Sequence, residues 1–282
     1  MKVIISGSHG LVGSALKAHL EADGCSVEAL SRDFTKPINF EGVDAVVHLA
    51  GESIATGRWN TSKKKRIEES RVVGTRQLAE QLAKSPAKPK VFISASAIGY
   101  YGDRDDEILS EESAAGTGFL SSVCEKWEES TLPAESAGIR TVKIRTGIVL
   151  SKKGGALAKM LPPFKMGGGG KLGNGRQYMS WISLDDMVGI IRFLIENENI
   201  HGPVNLVAPN AVTNLEFTKV LGTVLHRPVI MPLPAFAARL IFGEMADALL
   251  LSSTRVIPKK LIDNGYQFKH ADLQPALEDS LK

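Results

Sequence analysis

Apolar runs of strand length alternate with amphipathic stretches of helix length over the first 150 residues of the chain. The apolar runs are short and end at polar residues or glycines, whereas the stretches between them repeat apolar residues every three to four positions. This alternation predicts strands over residues 2–5, 26–30, 44–49, 90–94 and 140–150, separated by helices over 11–22, 66–84 and 121–132. Strands that alternate with helices build βαβ units, so we predict an α/β fold with a doubly wound, mostly parallel sheet.

The pattern changes after residue 151, where glycines become frequent. Residues 167–170 are four consecutive glycines, either part of a long surface loop or a mobile lid over an apolar pocket. Thr213 and Glu216 have the spacing of a capping box and predict a helix over 213–224. Further elements are predicted by the same patterns: helices over 185–197 and 233–251, and a strand over 204–207.

We therefore divide the chain into two parts. Residues 1–160 form the main domain, to which strands and helices of residues 176–208 return. Residues 161–282 form, for the most part, a small α/β subdomain on the substrate side together with a C-terminal extension. The absence of repeats or a low-complexity linker favours a second part that is assembled on the first.

Composition excludes several classes of protein. The chain has 282 residues with 34 basic and 31 acidic side chains, a surplus too small to favour a nucleic-acid partner. Cys25 and Cys124 form neither a disulfide framework nor a metal-ligand spacing, so we predict no metal site. No apolar stretch approaches the ~20 residues that cross a bilayer. We expect a cytoplasmic protein with no membrane partner.

The turn between the first strand and the first helix has the spacing G-x-x-G-x-x-G, formed by Gly7, Gly10 and Gly13. In such a turn the glycines permit a tight bend, close approach of a pyrophosphate and close packing of helix on strand, and the helix N-terminus attracts phosphate. A plain strand-to-helix turn is the alternative. The dinucleotide contacts predicted here are Gly7, Ser8, His9, Gly10, Leu11, Val12 and Gly13.

The residues after the second strand indicate which dinucleotide is bound. An acidic residue at this point binds the 2′-hydroxyl of NAD, whereas a basic residue favours the 2′-phosphate of NADP. Ser31 and Arg32 are both donors to a phosphate, and Asp33 follows them. We therefore predict NADP as the cofactor of a Rossmann domain, with a solvated arginine at a strand end as the alternative.

The glycine turn is accompanied by short segments that are spread over nearly the whole chain, and together they form one sequence pattern. The segments are HLAGE at 48–52, RWN at 58–60, GYYG at 99–102, KWE at 126–128, RTGIVL at 145–150, RVIP at 255–258 and NGYQF at 264–268. The pattern resembles the extended short-chain dehydrogenase/reductase family. It is most similar to the NADP-binding "epimerase family" branch with a C-terminal extension, some members of which are labelled cell-division inhibitors.

The resemblance implies cofactor contacts outside the glycine turn. Arg71 stands where extended family members usually carry an asparagine near the cofactor, and a cation there suits phosphate; an ordinary helix-surface arginine is the alternative. The strand that begins at Arg145 should border the nicotinamide. The full set implied is Leu49, Ala50, Gly51, Arg71, Ala95, Arg145 and Val149.

The catalytic part of the family pattern is incomplete in this chain. The family uses a serine with a Tyr-x-x-x-Lys helix, in which the tyrosine transfers the proton. Ser96 matches the serine, but Leu120 and Cys124 fall at the tyrosine and lysine positions. Tyr100 and Tyr101 follow Ser96 closely and are either acid/base candidates or walls of the substrate pocket.

The substrate side departs from the family as well. Sugar-nucleotide members carry an arginine that clamps the substrate diphosphate, and Met179 occupies that position here, with Arg176 as a possible substitute. This favours a smaller or more apolar ligand than a nucleotide sugar. We predict substrate contacts from Cys124, Met179 and Trp181.

Two functions are consistent with this pattern. The first is an NADP(H)-dependent oxidoreductase or epimerase-like enzyme that acts on a small molecule. The alternative is a non-catalytic NADP(H)-binding regulatory or redox-sensing protein, which the missing tyrosine and lysine favour. The basic run at 63–66 is either a solvated helix face or a contact for an anion.

Overall fold

Six parallel strands form the central sheet of the computed structural model, which describes residues 1–31 and 33–282. The strands of the molecule are β1 (Lys2–Ser6), β2 (Ser26–Leu30), β3 (Ala45–His48), β4 (Val91–Ala97), β5 (Ile108–Leu109), β6 (Arg140–Thr146), β7 (Ile148–Leu150), β8 (Tyr178–Met179), β9 (Trp181–Ser183), β10 (Gly202–Leu206), β11 (Val212–Thr213) and β12 (Arg255–Val256). The central sheet has the order β10-β6-β4-β3-β1-β2.

Helices cover both faces of this sheet. They are α1 (Leu11–Ala22), α2 (Thr61–Lys84), α3 (Phe119–Glu129), α4 (Leu132–Ser136), α5 (Gly155–Lys165), α6 (Leu184–Glu196), α7 (Asn214–Leu225), α8 (Ala235–Phe242), α9 (Lys259–Asp263) and α10 (Leu273–Leu281). One core lies between the sheet and α1 and α6, and a second lies between the opposite face and α2 and α4. The predicted doubly wound α/β fold is confirmed.

The order of the strands fixes where a ligand can bind. The chain passes from β1 to β2 on one side and then crosses to β3 on the other side of β1. In open parallel sheets, the crevice outside the carboxyl ends of the strands at such a switch point is the usual ligand site. The glycine turn that follows β1 lies at this edge of the sheet.

The predicted strand over 140–150 is wrong in one respect, because it breaks at Gly147 into β6 and β7. A Cβ atom on Gly147 would lie 2.6 Å from the carbonyl oxygen of Ser180, so only glycine permits this close crossing. Beyond the break, β7 leaves the central sheet and pairs with β9 in a separate two-stranded sheet. The chain therefore leaves the central sheet at this point.

The predicted helix over 233–251 is also interrupted. It ends at Gly243, whose φ of +63° is a conformation that favours glycine, and a π-helical turn follows over Ala246–Leu251. The capping box of Thr213 and Glu216 is confirmed at the start of α7.

The glycine-rich segment after α5 is fixed to the C-terminal part of the chain by backbone hydrogen bonds. Met231 N donates to Gly169 O at 3.1 Å, and Leu233 N donates to Lys171 O at 2.9 Å. The segments 169–173 and 231–233 therefore run side by side. Nowhere in residues 1–31 and 33–282 is a helix long and apolar enough to cross a membrane.

Candidate functional site

Two of the three glycines of the turn, Gly7 and Gly13, are required by close backbone packing. Gly7 has a φ of +76°, and a Cβ atom on it would lie 2.9 Å from the backbone of Leu49 and Ala50. A Cβ atom on Gly13 would overlap the carbonyl group of Gly7. Because side chains are excluded at these positions, the N-terminus of α1 lies directly against the carboxyl end of β3.

The N-terminus of α1 is open to a ligand. Its N-cap residue is Gly10, so the first turn has no side-chain cap, and the first turn also contains no acidic residue. Uncapped N–H groups and the helix dipole place partial positive charge at the edge of the sheet, which is suited to a pyrophosphate. Of the neighbouring turn residues, His9 is exposed and Ser8 is buried. Leu11 and Val12 are half-buried, and Val12 packs on the core beneath α1.

Arg71 contributes a cation to the same edge of the sheet. Its guanidinium lies beside Gly51, where a Cβ atom would be 3.4 Å from Cζ, and it stacks over the ring of Trp127 at 5.0 Å. Burial lowers the pKa of Arg71. Within the described residues, no carboxylate forms a salt bridge with this guanidinium. Its Nη1 donates to Ile67 O at 3.1 Å, and the charge of Glu52 acts on it from a longer distance. A half-buried cation with no direct carboxylate contact among the described residues favours an anionic ligand at this position.

The residues predicted to choose between the two dinucleotides are only partly described. Ser31 is exposed, and its hydroxyl accepts a hydrogen bond from Asp33 N at 3.1 Å. Asp33 also pairs with Lys36 at 3.7 Å, in a turn where hydrogen bonds from Thr35 lower the pKa of the Asp33 carboxyl. Arg32 lies outside the described residues.

Three apolar residues predicted to contact the cofactor are near the carboxyl ends of their strands. Leu49, Ala95 and Val149 are all half-buried and pack on the core that lies beneath α1 and α6. Leu49 follows β3 and Ala95 lies near the end of β4, on the edge of the central sheet that carries the glycine turn. Val149 lies in β7, outside that sheet, and a Cβ atom on Gly155 would lie within 3.6 Å of both Val149 O and the side chain of Leu11. This places them where an apolar part of a ligand can rest.

Ser96 and Arg145 belong to a buried polar network at the ends of β4 and β6. The two residues are register partners in the sheet, and both contact Glu128 of α3. The guanidinium of Arg145 binds the carboxylate of Glu128 through two hydrogen bonds of 2.8 and 2.9 Å. The hydroxyl of Ser96 donates to the same carboxylate at 2.7 Å. The single proton of Ser96 is therefore held by Glu128, and Ser96 faces other groups only as an acceptor.

Tyr101 extends this network toward β10. Its hydroxyl donates to Asn205 Oδ1 at 2.7 Å and accepts a hydrogen bond from Arg145 at 3.0 Å. The side chain is fully buried, and burial raises the pKa of Tyr101 to about 12. Glu111 accepts from Asn205 N at 3.0 Å, and burial raises the pKa of its carboxyl.

Tyr100 occupies a different position from its neighbour. Its ring lies against the guanidinium of Arg145, with Cζ 3.5 Å from the ring centroid, and is half-buried. Its hydroxyl has no hydrogen-bond partner in the part of the chain that the structure describes. Of the three hydroxyls predicted to be catalytic, Tyr100 carries the one whose proton is not committed to another side chain.

Cys124 is buried in α3, between the glycine-containing turn after β4 and the guanidinium of Arg71. A Cβ atom on Gly99 would lie 3.8 Å from the sulfur. Burial, with the nearby charge of Glu128, raises the pKa of the Cys124 thiol to about 12. The thiol is therefore neutral near pH 7 and packs as an apolar group.

The other two predicted substrate contacts differ in exposure. Met179 is half-buried in β8, which pairs with β11. Trp181 is fully buried in the core formed with α5, α7 and α10, and its Nε1 donates to Asn210 O at 3.1 Å. Only Met179 of this pair has surface available to a ligand in this structure.

The basic run at 63–66 is largely neutralised within the molecule. Lys63 is buried, and its Nζ lies 2.7 Å from Glu52. Lys64 pairs with Glu244 at 2.5 Å, and a neighbouring side chain, that of Arg58, donates to Leu240 O. These contacts join the loop after β3 and the start of α2 to the C-terminal part of the chain.

The sequence did not indicate the carboxylate at the centre of the network, Glu128. One signal was present: Arg145 lies in an apolar strand, and a buried arginine requires a carboxylate partner. The identity of that partner depends on how α3 packs on the sheet, which the sequence pattern does not define. Asn205 and Glu111 were missed for the same reason.

Comparison with known proteins agrees with this arrangement. The fold and the glycine turn define a Rossmann-type protein of the extended short-chain dehydrogenase/reductase class. The family model described as "NAD dependent epimerase/dehydratase family" matches residues 3–207, and the chain belongs to that family. A second model, "Domain of unknown function (DUF1731)", matches residues 233–280.

The alignments with several related proteins span almost the whole chain. The epimerase family protein Mb2239 of Mycobacterium bovis is 44% identical over 292 residues, covering 98% of this chain and 96% of its own. The human epimerase family protein SDR39U1, crystallised with NADPH, is 34% identical with a TM-score of 0.93, covering 99% of this chain and 98% of its own. The UDP-glucose 4-epimerase of Thermus thermophilus is 17% identical with a TM-score of 0.78, covering 99% and 98%, and shares the fold.

Replacing Glu128 by glutamine should destabilise the protein by about 3 kcal/mol or more, because the charge of Arg145 is then buried without a counter-ion. Ser96→Ala removes one hydrogen bond and should cost about 1–2 kcal/mol. Urea denaturation measures both losses. Glu129→Gln, at an exposed neighbouring position, is the control. Equal stability of the Glu128 and Glu129 variants would contradict a buried ion pair.

His48 should make the protein less stable in mild acid. It is fully buried, Ser6 Oγ lies 2.5 Å from Nδ1, and burial lowers its pKa from 6.5 to about 4. The unfolded chain therefore takes up a proton at His48 at a higher pH than the folded protein does. The contribution of neutral His48 to the free energy of unfolding is complete above pH 6.5 and is lost as the pH falls toward 4. Between pH 7 and pH 5 the loss should be about 2 kcal/mol.

Urea denaturation at these two pH values, compared with His48→Gln, isolates the effect of His48. The substitution removes the titrating group and keeps an acceptor for Ser6. Wild type should lose more stability than the variant between pH 7 and pH 5. An identical pH dependence in both proteins would show that His48 is not responsible.

Proposed function

We propose that the chain binds NADP(H) at the carboxyl edge of its sheet. The observation that carries this proposal is the uncapped N-terminus of α1 above a turn whose glycines exclude side chains. The cofactor contacts proposed are those of the glycine turn, with Leu49, Ala50 and Gly51 beneath it and Ala95 and Val149 beside it. Arg145 is bound to Glu128, so we assign it a positioning role behind the nicotinamide side of the site.

The proposed preference for NADP(H) over NAD(H) is supported by two arginines of the chain and by the cofactor found in a related crystal structure. Arg71 has no carboxylate partner among the described residues and lies next to Gly51, which suits it to a phosphate group. Ser31 is exposed after β2, and Arg32 follows it in the sequence. The human relative that shares 34% identity was crystallised with NADPH.

We further propose that the site is that of an oxidoreductase or epimerase-like enzyme for a small molecule. NADP(H), when bound, supplies or accepts a hydride. Tyr100 is the proposed proton donor, because its hydroxyl has no hydrogen-bond partner among residues 1–31 and 33–282 and the guanidinium of Arg145 provides positive charge beside its ring. Ser96 acts as an acceptor toward the substrate, since its own proton is held by Glu128.

The substrate surface includes Met179, where nucleotide-sugar relatives place a cation. Cys124 and Trp181 have almost no exposed surface, so we assign them to the layer behind this wall. A surface of this kind suits a small ligand without a diphosphate. We assign the opposite wall of the ligand cleft to the loop at 52–60, which Arg58 and the neighbouring Lys64 join to the C-terminal part of the chain.

One observation favours a second candidate function, a non-catalytic NADP(H)-binding regulator. The hydroxyls of Ser96 and Tyr101 are both committed to buried partners, and Cys124 at the lysine position is buried and neutral. If Tyr100 does not transfer protons, the site binds the dinucleotide without turnover. The two candidates share the same cofactor site and differ in hydride transfer.

Binding of NADPH should weaken about tenfold or more in Arg71→Gln, because a charge-assisted hydrogen bond to phosphate contributes about 1.5–3 kcal/mol. Isothermal titration calorimetry with NADPH and NADH measures this loss. Arg76→Gln, at an exposed position of the same helix, is the matched control.

The double variant Ser31→Ala/Arg32→Ala should lose affinity for NADPH while leaving that for NADH unchanged. If wild type binds neither dinucleotide, the proposed cofactor site is refuted.

Hydride transfer is tested with NADPH deuterated at C4 and a panel of small aldehydes, ketones and imines. An enzyme should transfer deuterium from one face only, and Tyr100→Phe should reduce the rate by about a hundredfold or more with NADPH affinity unchanged. Tyr266→Phe, remote from the cleft, should retain the rate. Tight NADPH binding without deuterium loss to any compound of the panel would favour the regulator instead.

A further inference from the structure

The substrate-side surface carries an exposed apolar face that the proposed function does not use. We define this apolar face as Met166, Ile230, Met231, Phe236 and Leu240, each of which is 61–81% exposed. Isolated exposed apolar residues are common on proteins, but several in one region indicate an interaction surface. Such a surface also requires that the five side chains be neighbours and that the charges around them match a partner.

Two hydrogen bonds, one from a side chain and one from the backbone, bring the two segments of the apolar face together. Arg227 Nε donates to Lys165 O at 2.9 Å, and Met231 N donates to Gly169 O at 3.1 Å. The segment that contains Met166 therefore runs beside the segment that contains Ile230 and Met231. α8 begins soon afterwards, and its residues Phe236 and Leu240 are one turn apart on the same side of the helix.

The charge around the apolar face has one sign. Residues 159–184 and 217–243, the two stretches of chain that carry the face, have seven lysines and arginines and no acidic residue. Lys165, Lys171 and Arg227 border the apolar face, and none of them forms a salt bridge within the part of the chain that the structure describes. The acids that follow α8, Glu244 and Asp247, are both paired with cations.

We infer that the apolar face docks on the surface of an anionic lipid bilayer, with α8 lying in the interface. Apolar side chains bordered by lysines and arginines are the features by which a helix binds at a membrane surface. A bilayer accepts projecting side chains in any arrangement, whereas a protein partner needs matching cavities. The cations gain attraction to anionic headgroups, about fivefold in affinity each.

A second copy of the chain fits the apolar face less well than a bilayer surface does. In a two-fold symmetric dimer the same surface meets itself, so Lys165, Lys171 and Arg227 of the two copies would approach one another. Like charges that approach in this way oppose association.

Docking on a bilayer surface differs from the expectation of no membrane partner, which rested on the lack of a segment long enough to cross a bilayer.

Vesicle co-sedimentation of the full chain tests the inference. Vesicles of phosphatidylcholine alone are compared with vesicles that also contain about 30% phosphatidylglycerol, a content sufficient for a negative surface potential. The protein should bind the anionic vesicles and not the neutral ones, and added salt should release it. Absence of binding, or equal binding to both kinds of vesicle, would overturn the inference.

Variants show whether the apolar face is the part that binds. Phe236→Ala/Leu240→Ala should reduce the partition coefficient by at least about tenfold, because two large apolar side chains no longer leave water. Lys165→Gln/Lys171→Gln should reduce it by about twenty-fivefold, at about fivefold per cation. Leu132→Ala/Ile262→Ala and Lys84→Gln/Lys153→Gln, at exposed positions elsewhere, are the matched controls and should bind as wild type does.

Thermal melts and sedimentation velocity distinguish membrane docking from misfolding and from self-association. The melting temperature should be unchanged in the α8 variant, because both side chains are exposed and contribute little to folding. Sedimentation velocity should give a monomer–dimer distribution that does not depend on Phe236 and Leu240. If wild type dimerises and the α8 variant does not, the apolar face is a contact between copies and the membrane inference fails.

Discussion

The arrangement of the carboxyl edge of the sheet depends on the buried ion pair between Arg145 and Glu128. A charged guanidinium is stable at this depth only with a carboxylate in bidentate contact, so the pair fixes α3 against β6. Around it, Ser96 donates to the carboxylate and Tyr101 accepts from the guanidinium. The ring of Tyr100 lies on the same guanidinium. One charged contact thus determines where three candidate hydroxyl groups point and which of them keeps a free proton.

The two halves of the site are built by different physical means. At the glycine turn, backbone does the positioning: Gly7 and Gly13 exclude side chains so that α1 can meet the end of β3, and N–H groups are left uncapped at the helix start. At the ends of β4 and β6, side chains do the positioning through buried hydrogen bonds and charges. The first arrangement depends on glycine at fixed positions, whereas the second depends on the pairing of particular side chains.

The sequence allowed the sheet, most helices and the glycine turn to be predicted, because each depends on local pattern. Apolar runs marked the strands of the central sheet, and Thr213 with Glu216 marked a helix start that the structure confirms. The break at Gly147 was not predicted, since it results from close approach to Ser180, more than thirty positions later. The partner of Arg145 was missed because helix packing, and not sequence spacing, selects Glu128. Local sequence pattern does not predict contacts between segments that are far apart in the chain.

The hydrogen bonds that close the network also have a consequence for synthesis on the ribosome. Asn205 Nδ2 donates to Ile257 O, and Lys260 N donates to Glu111. Domains generally fold from the N-terminal side as the chain emerges. Here the ribosome must add about a hundred residues after Arg145 before the backbone that completes its surroundings exists. The polar groups beside Tyr101 therefore remain without these two partners until the C-terminal segment has been synthesised.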